Sequence, residues 1–338
     1  MDVVSEFVHG LGRFVSVGLT SRLGAHRAWP SRAVLLDEPL ALAEERTSRL
    51  RRIYEKCADN LWDGPSVFRE AVNKHGGIQL SLEQRQALAY PISAIVWGEL
   101  AAWIVSAELA ERLDDPDARM AASSQVFDEA RHFYVMRDYL ALLHVPVPPV
   151  DPFFAAGVRS LLDSRDLTLK LLAMQILVEG VAQSIFKFLA DSRIEPVLSE
   201  ILPYIERDEA RHVGLGILHL PARLSQLSVA QRRSLARRVT GIGDLLGLAQ
   251  VRTAHHWRTL GLEPRELVRS ADGMLLQLAR KLGTVPGTDR FYFKVDDPRA
   301  PDYHKKLDWL LPLPEAPHSP QTRWVYAMLG LGARTLGA

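Results

Sequence analysis

Apolar side chains recur every three to four positions along most of the chain, which is the period of an amphipathic helix. Capping signals bound these stretches, such as the capping box of Ser81 and Gln84 and the helix start at Asp115–Pro116. Four core helices are predicted, over residues 81–113, 115–144, 166–190 and 196–220. Because only residues 290–295 have the pattern of a strand, the predicted fold class is all-α.

Prolines inside the predicted helices are expected to bend or shorten them. Pro91 is expected to kink the first core helix or to mark its true start, Pro203 to bend the fourth, and Pro221 to end it. Four prolines between residues 145 and 152 predict a loop. Further helices are predicted outside the core, over residues 40–60, 66–74, 228–260, 264–282 and 322–336.

The pattern divides the chain into three parts that pack as one elaborated domain. These are an N-terminal extension with outer helices (1–80), the four-helix core (81–222), and C-terminal helices with an irregular tail (223–338). Residues 1–30 lack the basic start and unbroken apolar run of a secretory signal. We interpret them as a solvated or partly ordered leader, with an amphipathic docking arm as the alternative.

Composition narrows the class of protein. Of 338 residues, 47% are hydrophobic and 24% charged, and the formal net charge of +1 gives no reason to expect nucleic acid as a partner. The single cysteine, Cys57, excludes an intrachain disulfide and a cluster of thiolate metal ligands, and it fits a cytoplasmic protein. No uninterrupted apolar run reaches the roughly 18 residues of a membrane span, so no transmembrane segment is expected.

One pentapeptide, Asp-Glu-Ala-Arg-His, occurs twice. It fills residues 128–132 and again residues 208–212, which is an offset of 80 residues. Within each copy the Glu and the His are three positions apart, so both side chains lie on one face of a helix. A Glu also stands 30 residues before the Glu of each copy. The offset therefore relates three pairs: Glu99 and Glu179, Glu129 and Glu209, and His132 and His212.

These six residues predict a site for two metal ions. Glu99 and Glu179 are flanked by apolar residues that should point into the core, where an unpaired ionised carboxylate is very costly. Two divalent cations balance four carboxylates, and two neutral imidazoles complete the coordination. Oxygen ligands with two imidazoles favour iron or manganese over structural zinc. Glu108 and Glu111 are alternative ligands, but they break the offset and are expected to face solvent.

One Glu from each of two helices and Glu-x-x-His from each of the other two resembles the ferritin-like di-iron carboxylate proteins. Within that superfamily, the sequence of residues 205–213 is most similar to ribonucleotide reductase small subunits and their ligand-binding oxidase relatives. The resemblance covers about residues 84–220. It implies a ferritin-like four-helix bundle with added N- and C-terminal helices, O2 as co-substrate, and a homodimer.

The resemblance also implies a role for the Asp that precedes each Glu of the repeat. Asp208 should orient His132, and Asp128 should orient His212, each across the two halves. A metal-bound His needs an acceptor for its second ring N–H, so the physics agrees. Arg131 and Arg211 are expected to neutralise these aspartates.

The diagnostic residues of individual subfamilies are missing. A radical-storing subunit has a Tyr where this chain has Met136, and the ligand-binding oxidases have a cross-linking Tyr where it has Met174. Soluble monooxygenases and desaturases have a Thr where it has Ala182 or Gln183. Arylamine N-oxygenases have a His in place of Ile205.

The predicted function is therefore a di-iron or Mn/Fe oxidase or oxygenase that uses O2 to hydroxylate, desaturate or N-oxygenate a small organic substrate, with an electron-donor protein as a further partner. Glu99 and Glu179 are expected to shift between terminal and bridging modes. The residues expected to line the substrate pocket are Ile95, Trp103, Phe133, Met136, Gln183 and Phe186. The alternatives are a non-enzymatic iron-handling or scaffold protein, and a reductase small subunit without the tyrosyl radical.

Overall fold

The structure is a computed structural model that describes residues 45–283, 311 and 320–328. Every regular element in these ranges is a helix, which confirms the all-α prediction. The predicted strand at 290–295 and the leader at 1–30 lie outside the described residues. In chain order the helices are α1 (Glu45–Asp59), α2 (Gly64–His75), α3 (Leu82–Arg112), α4 (Pro116–Leu142), α5 (Pro152–Leu162), α6 (Leu167–Ser192), α7 (Pro196–Ser225), α8 (Val229–Thr259), α9 (Pro264–Gly283) and α10 (Pro320–Met328).

Side-chain caps fix where the long helices begin. At α3 the hydroxyl of Ser81 accepts a hydrogen bond from the N–H of Gln84, and the Gln84 side chain accepts one from the N–H of Ser81. Ser228 and Gln231 form the same capping box at α8. The Asp115 carboxylate caps α4. Each cap satisfies N–H groups that have no partner inside the helix, so the predicted starts are confirmed.

The three helix prolines all lie inside helices. Pro91 is within α3, so the helix starts at its cap and not at the proline. Pro203 and Pro221 are both within α7, which continues to residue 225. The prediction that α7 ends at Pro221 was wrong. Leu220 and Leu224 are fully buried on either side of that proline, and two such side chains contribute about 3–6 kcal/mol against a proline cost of about 3 kcal/mol.

Helix α5 is the element that the sequence pattern does not indicate. The prolines of residues 145–152 predict a loop, and Pro152 is in fact the first residue of α5. Asp151 caps this helix by accepting hydrogen bonds from the N–H groups of Phe153 and Phe154. A proline at the first helical position loses no hydrogen bond, so the same residue ends the loop and starts the helix.

Four helices form the core that carries the repeated pentapeptides. Helix α3 packs along α4, α6 packs along α7, and α7 also contacts α4. Helix α8 lies on α3 and α5, α9 lies on α6, and α1 lies on α4 and α7. Buried aliphatic side chains form two clusters that fill this core. The four inner helices therefore hold the candidate ligands, and the outer helices cover them.

Helix α6 is not regular throughout. Its segment Leu171–Val178 is a π-helix and ends directly before Glu179. Helix α7 comes very close to this segment at Gly216, where an added Cβ would lie 2.7 Å from the Cβ of Gln175 and 3.0 Å from the Cδ1 of Ile176. The missing side chain at Gly216 thus permits the contact between α7 and the π-helical segment.

Two of the described helices, α3 and α6, are long and apolar enough to cross a membrane by length and composition. Within the protein, 50% of the most apolar window of α3 and 72% of that of α6 are buried. Both helices also carry a buried Glu near the middle. Their apolar character is accounted for by the bundle core that they build.

Candidate metal centre

The structure brings the six predicted ligands together in the middle of the four-helix core. Glu99 comes from α3, the first Glu–His pair from α4, Glu179 from α6 and the second pair from α7. All six residues are 5% exposed or less. Four buried carboxylates beside two imidazoles are chemically unusual, because each buried charge needs a partner.

The ligand atoms form two groups, within each of which they lie no more than 4.8 Å apart. The Glu99 group consists of Glu99, Glu129, His132 and Glu209. The Glu179 group consists of Glu129, Glu179, Glu209 and His212. The two glutamates of the pentapeptides belong to both groups, so they lie between two positions of equal composition, each with three carboxylates and one imidazole.

Short distances connect the Nδ1 atoms of the histidines to these carboxylates. His132 Nδ1 lies 3.2 Å from a Glu209 oxygen and 3.4 Å from a Glu99 oxygen. His212 Nδ1 lies 2.9 Å from a Glu209 oxygen and 3.0 Å from a Glu129 oxygen. Both Nδ1 atoms therefore point into the carboxylate cluster, and both Nε2 atoms point away from it.

The Nε2 atoms meet the two aspartates in the crossed arrangement that the resemblance implies. His132 Nε2 is 3.2 Å from Asp208 Oδ2, and His212 Nε2 is 3.3 Å from Asp128 Oδ2. Each contact links α4 with α7. A carboxylate at this position fixes the tautomer that leaves Nδ1 free to bind a cation.

The two aspartates also form a closed ring with the two arginines of the pentapeptides. Arg131 donates to Asp128 and, at 2.7 Å, to Asp208. Arg211 donates to the same two carboxylates at 2.8 Å and 2.7 Å. All four side chains are at most 8% exposed. Charge-assisted hydrogen bonds of this kind are the strong ones, so the ring holds α4 and α7 together directly behind the histidines.

Two side chains outside the core complete this ring, and sequence reasoning missed both as site residues. The indole N–H of Trp62, between α1 and α2, donates to Asp208 Oδ2 at 2.7 Å. The thiol of Cys57 on α1 lies 3.5 Å from Asp128 Oδ1. Neither residue obeys the 80-residue offset, so the repeat gives no signal for them. The two aspartates therefore differ, since a thiol is a much weaker donor than an indole.

Two buried glutamines were also missed. Gln125 of α4 donates from Nε2 to Glu129 at 3.0 Å and to Glu179 at 2.8 Å. Gln175, in the π-helical segment of α6, donates to the Gln125 carbonyl oxygen at 2.8 Å. Each glutamine stands four residues before a Glu of the Glu179 group. That spacing on one helix face is the signal by which they can be found.

Burial and neighbouring charges shift the acid–base behaviour of the site in opposite directions. Burial raises the pKa of Glu99 and Glu179 well above the usual range. Burial also acts to raise the pKa of Glu129, but the nearby His212 and His132 together outweigh it and the pKa is lowered. For His132, burial acts to lower the pKa, and the negative charge of Asp208 and the nearby glutamates outweighs burial and raises the pKa. These shifts show that the carboxylate cluster favours positive charge beside it.

The donor set fits divalent cations. Two buried atoms that face the cluster, His132 Nδ1 and Glu129 Oε2, have no hydrogen-bond partner among the described residues. A buried lone pair without a donor is costly, and a cation between these atoms would satisfy both. Hard carboxylate oxygens with imidazole nitrogen suit iron and manganese.

The residues predicted to line the substrate pocket differ in their burial, and the pocket itself stays a prediction. Met136 and Phe186 are buried in an apolar cluster of the core, while Trp103 is 40% exposed. A cavity of about 290 Å³ lies elsewhere, near the start of α4 and the end of α7. None of the six predicted residues lines that cavity. Gln183 is partly exposed, and its role stays a prediction.

The surroundings of Glu108 differ from those expected. It was expected to face solvent, but it pairs with the buried Lys170 and with Arg112, and its side chain is 25% exposed. The buried ammonium group of Lys170 needs a negative partner, which explains why Glu108 is drawn inward. It belongs to neither ligand group.

Comparison with solved structures identifies the architecture. A variant of an R2-like ligand-binding oxidase with an aerobically reconstituted Mn/Fe cofactor superposes with a TM-score of 0.55 at 15% identity, covering 76% of this chain and 99% of the other. A second such variant gives 0.54 at 15%, covering 78% and 100%. A long-soak structure gives 0.54 at 14%, covering 76% and 98%. The chain has the R2-like ferritin fold.

This fold confirms the ferritin-like bundle with added helices that the repeat predicts. No family model and no curated protein sequence matches the chain. This chain is similar to the R2-like oxidases in its architecture, because an identity near 15% leaves most side chains different. Met174, which stands where the resemblance places the Tyr of the ligand-binding oxidases, is buried inside the π-helical segment of α6.

Proposed function

We propose that this protein is a non-haem di-iron or Mn/Fe oxidase or oxygenase that uses O2 to oxidise a small organic substrate. The observation that carries the proposal is the pair of buried ligand groups, which share Glu129 and Glu209. The R2-like oxidases with this fold and a Mn/Fe cofactor support the choice of metal and of reaction class. The proposed setting is the cytoplasm, with an electron donor as partner.

The residues have distinct proposed roles. Glu129 and Glu209 would each contact both ions, while Glu99 with His132 and Glu179 with His212 would each complete one position. When bound, two redox-active ions supply electrons for the reduction of O2. Asp208 and Asp128 hold the imidazoles with Nδ1 facing the carboxylate cluster, where each could bind an ion, and the arginines of the ring neutralise those aspartates.

The buried position of the cluster favours controlled oxidation. All six ligand residues are at most 5% exposed. Exclusion of water strengthens every electrostatic interaction inside the site and limits side reactions of O2. An iron-handling or scaffold protein needs neither property.

The test is metal content combined with O2 consumption. Protein loaded anaerobically with Fe(II), or with Mn(II) and Fe(II), is expected to hold two ions per chain. On exposure to O2 it is expected to consume the gas stoichiometrically and to change its visible absorption. A protein that binds fewer than two ions, or that keeps zinc and does not consume O2, would favour the scaffold alternative.

A further inference from the structure

Next to the metal centre, the two halves related by the 80-residue offset differ at the positions four residues before each ligand Glu. Four residues before each of the four glutamates, the chain has Ile95, Gln125, Gln175 and Ile205 in sequence order. The repeat pairs Gln125 with Ile205 and Gln175 with Ile95. Two amides therefore stand beside the Glu179 group where aliphatic side chains occupy the equivalent places.

The amides form a directed chain. Gln125 is 1% exposed and Gln175 is fully buried. Gln125 Nε2 approaches oxygens of Glu129 and Glu179, which as carboxylates accept hydrogen bonds, so the NH2 of Gln125 must face them. Its carbonyl oxygen then accepts from Gln175 Nε2 at 2.8 Å. Gln175 thus prevents the Gln125 amide from rotating.

Among the described residues, no amide restrains Glu99, the other glutamate outside the pentapeptides. Glu99 lies 3.4 Å from His132 Nδ1, and the residue one turn before it is Ile95. Glu179 has one oxygen, Oε1, held at 2.8 Å by an amide that is itself held. The two carboxylates expected to change coordination mode are therefore not equivalent.

We propose that Gln125 is a positioning residue that fixes Glu179 and makes the two metal positions unequal, with Gln175 as its support. The Glu179 group is then the rigid, tighter position, and Glu99 is the carboxylate free to rearrange when O2 or substrate arrives. This inference rests on the proposed metal centre. It needs no group beyond the residues of this chain.

The experiment measures anaerobic Fe(II) binding to the full chain by titration calorimetry, with circular dichroism as the check on folding. Gln125→Met removes the donor at similar volume. The matched control is Ile205→Met, which places the same side chain at the repeat-related, equally buried position. We expect Q125M to weaken one of two binding steps about 10- to 100-fold and I205M to leave both within about threefold.

Single-position backgrounds show which step is affected. In the His132→Ala background only the Glu179 group remains complete. There, Q125M should weaken Fe(II) binding by the whole of the expected 10- to 100-fold factor. With His212→Ala the Glu99 group remains, and Q125M should have a much smaller effect, through the shared Glu129. Equal weakening in both backgrounds, or in neither, would overturn the proposal.

A second variant covers a failure of Q125M to fold. Gln175→Met leaves the Gln125 amide in place but removes its support, and we expect the same step to weaken by a smaller factor. Unchanged binding in Q175M would contradict the role of Gln175. The two proposals fail differently: a wild-type chain that binds no Fe(II) disproves the metal centre, whereas two tight sites insensitive to Q125M disprove only this inference.

Discussion

The α3–α4 half and the α6–α7 half of the bundle present the same ligand types at the same spacing, yet their surroundings differ. Helix α3 is α-helical throughout, whereas α6 widens into a π-helix before Glu179. The first half places Ile95 before its single Glu, and the second places Gln175 there. A duplicated ligand set thus does not give two equal metal positions, because supporting contacts decide how each ligand is held.

The largest effect is expected when a ligand that belongs to both groups is removed, compared with a ligand that belongs to one group. Glu129 belongs to both groups, so Glu129→Ala is expected to lose nearly all bound metal. His212 belongs to one group, and His212→Ala should retain about one ion per chain. Metal content by mass spectrometry, on protein shown to be helical, gives the answer. Unchanged stoichiometry in both variants would disprove the assignment.

The next test replaces, one at a time, the two aspartates that orient the histidines. Asp208→Asn should weaken the position that contains His132, and Asp128→Asn the position that contains His212, each by about 10- to 100-fold. Anaerobic Fe(II) titration of each variant combined with H132A or H212A identifies the affected position. If both variants weaken the same position, the crossed arrangement does not govern metal binding.

A stability test addresses the π-helical half alone. Gly216→Ala places a Cβ 2.7 Å from the Cβ of Gln175, and we expect a loss of about 3 kcal/mol in the free energy of unfolding. Gly214→Ala on the same helix meets only an ordinary 3.6 Å contact, and it should be neutral or stabilising by up to about 1 kcal/mol. Urea unfolding compares them. A tolerant G216A would show that α7 can move away from α6.

The smallest expected effect compares the donors on the two aspartates. Trp62→Phe removes an indole hydrogen bond to a buried carboxylate and should cost about 1.5 kcal/mol or more. Cys57→Ser keeps a donor near Asp128, and its unfolding free energy should change by less than about 1 kcal/mol. Thermal unfolding of both variants in metal-free buffer decides this. Equal losses would mean that the indole adds nothing beyond its packing.

The sequence predicts those features that repeat. The offset of 80 residues identifies six side chains from four helices, and helical spacing with capping boxes predicts the bundle that brings them together. Both are local patterns that a single chain displays. The positions of Glu99 and Glu179 in the middle of apolar helices follow from the same reasoning, because an interior carboxylate needs a counter-charge.

Features that do not repeat, or that depend on packing, could not be predicted in this way. Trp62 reaches Asp208 from 146 residues away, and Cys57 reaches Asp128 from outside the core. Helix α7 passes Pro221 because leucines on both sides are buried, which the proline itself does not reveal. The contact of the π-helical segment with α7 likewise depends on the missing side chain at Gly216.

The ring of Asp128, Arg131, Asp208 and Arg211 has a consequence for how the bundle is held together. Its two negative and two positive charges cancel, and it joins α4 to α7 with no contribution from an ion. The link between α4 and α7 therefore does not depend on a bound cation. We expect the metal-free chain to keep this link, so that filling of the carboxylate cluster is a separate step.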